Sequence, residues 1–138
     1  MRGAGLLQLE REVLRAQRTR QLLSIAFVDV DRLEVVNDTA GHAAGDRLLV
    51  RVAEALRHRM RPYDLVVRYG GDEFVCVLTG MGHVEAEERF AVVNADLAPH
   101  GSVTVGVAEA MAHEDSAALL ARADAALYAR RAAAARRS

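Results

Sequence analysis

The stretch Arg68-Tyr69-Gly70-Gly71-Asp72-Glu73-Phe74 constrains this chain more than any other. Leu65, Val66 and Val67 precede it, and Val75, Cys76, Val77 and Leu78 follow it. Short apolar runs joined by Gly-Gly read as a β-hairpin with a tight turn. Asp72 and Glu73 come directly after that turn. Adjacent carboxylates on a hairpin tip repel each other. They are either ordinary solvated turn acids or ligands of something positive, for which a divalent cation is the natural choice.

A second acidic element lies upstream. Ser24 to Val30 is an apolar, β-branched-rich run ending in Asp29-Val30-Asp31, which reads as a buried strand with acids at its C-terminal end. Carboxylates on a strand end and on a neighbouring hairpin can converge on one cation. Oxygen-only ligands suit Mg²⁺, which takes few protein carboxylates and leaves room for substrate phosphates. This is the arrangement used in phosphoryl and nucleotidyl transfer. Two structural readings stand beside it: Asp29 as a strand-end acceptor for nearby amides, and Asp31 as the cap of the next helix.

The remaining pattern predicts alternating elements. Leu6, Leu7, Leu9, Val13 and Leu14 recur at helical spacing to about Arg20, and Leu22 to Val30 forms the first strand. Asp31 to Asn37 turns into a short helix, and Gly45-Asp46 opens another with Leu48, Leu49, Val52, Leu56 and Met60 on one stripe. Arg61-Pro62-Tyr63-Asp64 is a turn, because proline stops the helix. After the hairpin come a helix from His83 to Leu97, a strand from Ser102 to Ala108, and a final helix from Ser116 with Leu119, Leu120, Ala123, Leu127 and Tyr128 inward. The order α-β-α-α-β-β-α-β-α predicts an α/β (α+β) domain whose mixed central sheet is flanked by helices.

With 138 residues, residues 1–138 read as a single domain with room for a core. Lys and Arg (18) nearly balance Asp and Glu (19), so there is no global basic excess of the kind that marks nucleic-acid binding. The one cysteine, Cys76, alternates within a strand and reads as core; no intrachain disulfide can form, in keeping with a cytoplasmic location. No apolar stretch approaches the roughly 20 residues of a spanning helix, so no membrane contact is expected of this chain.

The signature Arg68 to Phe74 resembles that of the GGDEF family, the diguanylate cyclases. The block Phe27 to Asp46, containing Asp29-Val-Asp31 and Asn37-Asp-Thr-Ala-Gly-His42-Ala-Ala-Gly-Asp46, resembles the family's first block, and Ser102 to Ala108 and Ala121 to Tyr128 resemble its later strand and last helix. The blocks occur in the family's order. The resemblance implies a palm-like nucleotidyl cyclase fold. It implies condensation of two GTP molecules into cyclic di-GMP with release of pyrophosphate, by a homodimer in which each subunit holds one GTP.

Carried over by position, the resemblance implies Mg²⁺ (or Mn²⁺) on Asp29, Asp72 and the Val30 carbonyl. Asp72 and Glu73 then act as catalytic residues that favour deprotonation of the attacking hydroxyl. Asn37 and Asp46 bind guanine, whose N1 and N2 donors suit a carboxylate and an amide. Each alone also reads as a turn or cap residue. Gly70 and Gly71 let backbone amides approach phosphates, and Arg131 matches a phosphate-binding lysine. His42 falls in the same substrate block, although a lone histidine is more often structural. Arg61 and Asp64 precede the glycines at the spacing of a product-inhibitory site for cyclic di-GMP; an ordinary Arg–Asp turn pair is the plainer reading. Arg89 is a further candidate for a basic contact.

The chain also departs from the family. Leu33 and Glu34 stand where Phe-Lys is usual, and Ala135 replaces a second basic residue of the last helix, with Arg136 adjacent. The strand-entry motif expected ahead of the first helix is missing. Met1-Arg2-Gly3 reads as the stump of a domain trimmed on its N-terminal side, with an upstream sensor region outside the chain, or else as the start of a divergent natural domain. These departures leave a second function open: a catalytically weak domain that binds GTP or cyclic di-GMP as a regulatory module. A purely structural dimerisation domain would leave the acids without a role.

Overall fold

The computed structural model describes residues 2–137; Met1, part of the expected stump, lies outside them. The elements are α1 (Arg2–Thr19), β1 (Leu23–Val30), α2 (Leu33–Ala40), α3 (His42–Arg59), β2 (Leu65–Arg68), β3 (Glu73–Thr79), α4 (His83–Leu97), β4 (Val103–Glu109) and α5 (Ser116–Arg137). Their order is the one the sequence predicts.

The four strands lie in the order β2-β3-β1-β4. Every pairing is antiparallel, so the mixed directions expected from sequence do not occur between neighbours. The reason is topological. β1 and β2 run the same way across the α2–α3 crossover, but β3 inserts between them; β3 and β4 likewise run the same way with β1 between. Two interleaved split βαβ units result.

Period-two alternation along β1 sends Ala26, Val28 and Val30 to one face and Leu23, Ile25 and Phe27 to the other. The first face packs on Leu48, Val52 and Leu56 of α3 and on Ala86, Phe90, Val93 and Leu97 of α4. The second packs on Leu9, Val13 and Ala16 of α1 and on Leu119, Ala123 and Leu127 of α5. Asp29 continues the odd series and therefore lies on the α5 side. Cys76 is fully buried, and burial pushes its thiol up to about 12, as befits a core residue and not a nucleophile.

Three local expectations are corrected. α3 opens at His42, ahead of Gly45, because Gly41 (φ 92°) makes the break and the next residue can start the helix. Tyr128 is 78% exposed, since the inward stripe of α5 follows Leu119, Ala123 and Leu127 at fourfold spacing and the next residue turns away. Leu7 and Leu14 are exposed for the same reason, outside the Leu9–Val13–Ala16 stripe of α1. Among the described residues no helix is long and apolar enough to cross a membrane.

The outer edge of β4 is closed by side chains. The Asn94 amide donates to the Val103 carbonyl (3.0 Å) and accepts from the Val103 amide (2.8 Å). Arg130 donates to the Val105 carbonyl and Arg122 to the Glu109 carbonyl. These contacts satisfy backbone groups that an edge strand otherwise presents to a second chain.

Candidate active site

The C-terminal end of β1 and the loop between β2 and β3 form one surface. The loop spans Tyr69 to Asp72 and is wider than the tight turn expected, because β1 holds its far side: the Val30 amide donates to the Asp72 carbonyl (2.9 Å), and Glu73, the first residue of β3, pairs in register with Asp29. The Tyr69 and Gly70 amides both donate to the Glu73 carbonyl. Arg68 wraps the loop from outside, with Nη2 on the Gly71 carbonyl (2.8 Å). The Tyr69 ring meets Phe27 edge-on at 5.0 Å. A Cβ on Gly70 would lie 2.9 Å from Oε1 of Glu73, whereas Gly71 faces open space. The first glycine serves the loop's packing; the second leaves room beside Asp72.

This scaffold brings Asp29, Asp72 and Glu73 together. The Asp29 carboxyl is raised from its ordinary 3.8 to about 6, first by burial, then by the negative charge of Asp72, a hydrogen bond shared with Asp72, and the charge of Glu73; Arg131 opposes them. Arg131 Nη2 contacts Asp29 Oδ2 at 2.8 Å and Asp31 Oδ1 at 3.0 Å. Asp29 Oδ1 is buried with no hydrogen-bond partner. Asp31 is better served, accepting from Ser102 Oγ (2.5 Å) and Thr104 Oγ1 (2.6 Å) on the β4 side.

Among the described residues no group of three or more His, Cys, Asp or Glu side chains is gathered for a metal. The donors present are carboxylates and backbone carbonyls, short of positive charge and with an orphaned buried oxygen. That donor set fits a hard divalent cation whose remaining ligands are phosphates and water.

In the absence of any cation the raised Asp29 carboxyl costs stability. The folded state binds more protons than the unfolded state between about pH 4 and the folded value of about 6, so stability falls as pH rises through that window. With solvent screening allowed for, the cost above it is about 1 kcal/mol. Asp29→Asn is therefore expected to melt about 3 °C above the wild type near pH 8 in chelator, with no difference near pH 4. Paired melting curves at the two pH values check this; a lower melting temperature for the variant near pH 8 contradicts it.

The residues expected to bind guanine lie on α2 and α3. Asn37 Oδ1 sits where a Cβ on Gly45 would be, only 1.8 Å away, so the missing side chain of Gly45 seats the amide. Asp46 follows Gly45 and lines an open cleft of about 440 Å³ with Leu49, Ala53, Arg68 and Phe74. His42 stands exposed at the start of α3 and does not line this cleft. Glu34 is exposed in the first turn of α2, where the helix N-terminus favours an acid. Arg32 (φ 59°) takes the left-handed conformation that swings the chain from β1 into α2.

Arg61 and Asp64 bind each other. Arg61 Nε and Nη2 fork onto Asp64 at 2.9 and 2.8 Å, the Arg61 amide donates to the same carboxylate, and Nη2 also reaches the Thr79 carbonyl. The Asp64 side chain has no exposed surface, so it anchors the turn and offers no acceptor to a guanine base in this conformation. Arg61 stacks over Tyr63 at 4.6 Å and lines a cleft with Arg57. Arg89 donates to the Arg59 carbonyl at the end of α3, away from the acids. The hydroxyl partners of Asp31 are not legible in the sequence: Ser102, just ahead of β4, and Thr104, within it, lie more than 70 positions later.

The sequence profile described as "Diguanylate cyclase, GGDEF domain" matches residues 2–137. The chain belongs to the GGDEF family. It is 37% identical over 132 residues to diguanylate cyclase DosC of Escherichia coli (strain K12), covering 86% of this chain and 28% of that protein. It is 38% identical over 133 residues to diguanylate cyclase TpbB of Pseudomonas aeruginosa (strain UCBPP-PA14), covering 88% of this chain and 31% of that protein. The chain thus spans less than a third of the length of these GGDEF relatives. Its fold is similar to the crystal structure of the GGDEF domain of DgcB from Caulobacter crescentus in complex with c-di-GMP, with a TM-score of 0.89 and 26% identity over 96% of this chain and 85% of that one.

Proposed function

We propose that this GGDEF domain is a diguanylate cyclase that joins two GTP molecules into cyclic di-GMP. The observation that carries the reading is the convergence of Asp29 and Asp72, with an orphaned carboxylate oxygen, beside an open glycine loop. Asp29, Asp72 and the Val30 carbonyl hold Mg²⁺ or Mn²⁺. When bound, the ion neutralises the triphosphate and acidifies the attacking hydroxyl.

The chain's own residues do the rest. Asn37 and Asp46 orient guanine, the Gly70 and Gly71 segment lets the triphosphate approach the loop, and Arg131 supplies a cation from α5. Asp72 or Glu73 receives the proton of the 3′-hydroxyl as its oxygen bonds to the α-phosphorus of the second GTP. The bond from that phosphorus to pyrophosphate breaks, and the reaction repeated in the opposite sense closes the ring. A homodimer brings the two nucleotides together, and most of the rate gain comes from positioning and charge stabilisation. Arg61, with Arg57 beside it, is the proposed contact for product inhibition.

The test is purified protein incubated with GTP and Mg²⁺ and resolved by chromatography. Cyclic di-GMP and pyrophosphate are the expected products. GTP binding without product would overturn the cyclase reading and leave that of a nucleotide-binding regulatory domain.

The guanine assignment has its own test in Gly45→Ala. The added methyl evicts the Asn37 amide, while alanine is the better helix former. GTP affinity should fall about tenfold, the loss of one base hydrogen bond, with the melting temperature within a few degrees of wild type. Calorimetry with GTP beside a thermal melt separates the two effects; unchanged affinity removes Asn37 from the site.

A further inference from the structure

Arg131 is held in an unusual way. Arginine usually meets a carboxylate with a two-nitrogen fork. Here Nε, one nitrogen of such a fork, is buried without a partner, while Nη2 lies 2.8 Å from Asp29 Oδ2 and 3.0 Å from Asp31 Oδ1. Across the contact, Asp29 Oδ1 is also buried and unpartnered. Orphans on both sides of one ion pair make it easier to break than a forked pair, because separation strands no further hydrogen bond on either orphan. The Arg131 side chain is 38% exposed, and it has a long stem on which to swing out.

The two carboxylates differ in what they keep. Asp31 retains the hydroxyls of Ser102 and Thr104 whether or not Arg131 is present. Asp29 has no hydroxyl donor of this kind; on losing Arg131 it is a partly buried carboxylate facing Asp72 and Glu73. Of the two, Asp29 is the one that requires a replacement cation, while Asp31 can serve as a resting partner.

We propose that Arg131 is an intramolecular stand-in for the divalent cation: in the unliganded domain its guanidinium neutralises Asp29, and the metal binds by displacing it. The inference rests on the metal reading of Asp29 and Asp72. It assigns Arg131 a role before nucleotide arrives, as a competitor that keeps the acid cluster folded and sets a threshold for metal binding.

The test is titration of Mn²⁺ into metal-free protein without nucleotide, with free Mn²⁺ read by electron paramagnetic resonance. Arg131→Gln should bind Mn²⁺ more tightly than wild type, on the order of tenfold once partial exposure is discounted. Arg131→Lys, which keeps the charge, should stay near wild type. Arg130→Gln, whose guanidinium sits on Val105 and Glu87, should match wild type. Affinity in Arg131→Gln equal to or weaker than wild type overturns the proposal. Asp29→Asn separates the two levels: if it weakens Mn²⁺ binding while Arg131→Gln changes nothing, displacement alone fails. If it leaves affinity unaltered, the metal reading fails and displacement with it.

Discussion

Asp72→Asn is expected to reduce cyclic di-GMP formation at least a thousandfold while the domain melts at or slightly above the wild-type temperature. Asparagine has the same shape as aspartate and keeps one oxygen, so the loop survives. The contact that fixes the loop is the Val30 amide on the Asp72 carbonyl, a backbone bond that the substitution does not touch. What is lost is the charge. Asp29 and Asp72 are the two carboxylates proposed to hold the cation, and a neutral amide at one position leaves too little charge to retain it beside a triphosphate. Relief of repulsion against Asp29 adds stability in the metal-free protein, for the reason that burial and Asp72 together raise the Asp29 carboxyl. Chromatographic product analysis and a thermal melt on the same preparation check both halves. Product above a few per cent of wild type would remove Asp72 from the chemistry; a collapsed melt would make the position structural.

The sequence discloses local features and conceals those that depend on distant partners. The hairpin, the strand ending in Asp29-Val30-Asp31 and the stripes of α3 and α4 are legible because apolar period and turn chemistry are written in neighbouring residues. The exposure of Tyr128 is hidden because a helical stripe blurs at its edge, where one step of rotation separates Leu127 in the core from Tyr128 in solvent. The width of the loop is hidden too, because Gly-Gly taken alone describes a turn between two strands. A third strand, β1, sets this one by pairing Asp29 with Glu73.

The site is legible in its acids and opaque in their partners. Spacing points to the acids Asp29, Asp31, Asp72 and Glu73, on a strand end and a neighbouring hairpin; the choice of Asp29 and Asp72 among them comes from the family resemblance. That Ser102 and Thr104 satisfy Asp31 depends on β4 folding beside β1. That Arg61 and Asp64 consume each other's hydrogen-bonding capacity depends on rotamers no spacing rule contains. The same holds for Gly45, whose use is to admit the amide of Asn37 from another helix.

Gly106→Ala is expected to be the most damaging single methyl in the domain. Gly106 lies mid-strand in β4, paired with Phe27, and α5 crosses directly over it. A Cβ there would fall 2.2 Å from the Leu127 amide nitrogen, 2.3 Å from the Ala123 carbonyl oxygen and 2.8 Å from the Leu127 Cα. All three are backbone atoms of a helix, so no rotamer change relieves the overlap; α5 must lift from the sheet. Lifting it opens the contacts of Leu119, Ala123 and Leu127 with the second core, at a cost of roughly 3 kcal/mol or more, equivalent to a melting temperature lower by about 10 °C. The function follows the helix. Arg131 lies one turn beyond Leu127 on α5, so the same displacement draws its guanidinium away from Asp29 and Asp31. Denaturant titration measures the stability loss, and a melting temperature within two or three degrees of wild type would show that α5 does not rest on the strand as closely as described. The smallness of the Ser102–Ala108 run is visible in the sequence. Its cause is the backbone of a helix that begins only at Ser116, which makes Gly106 a contact residue whose contribution is the absence of a side chain.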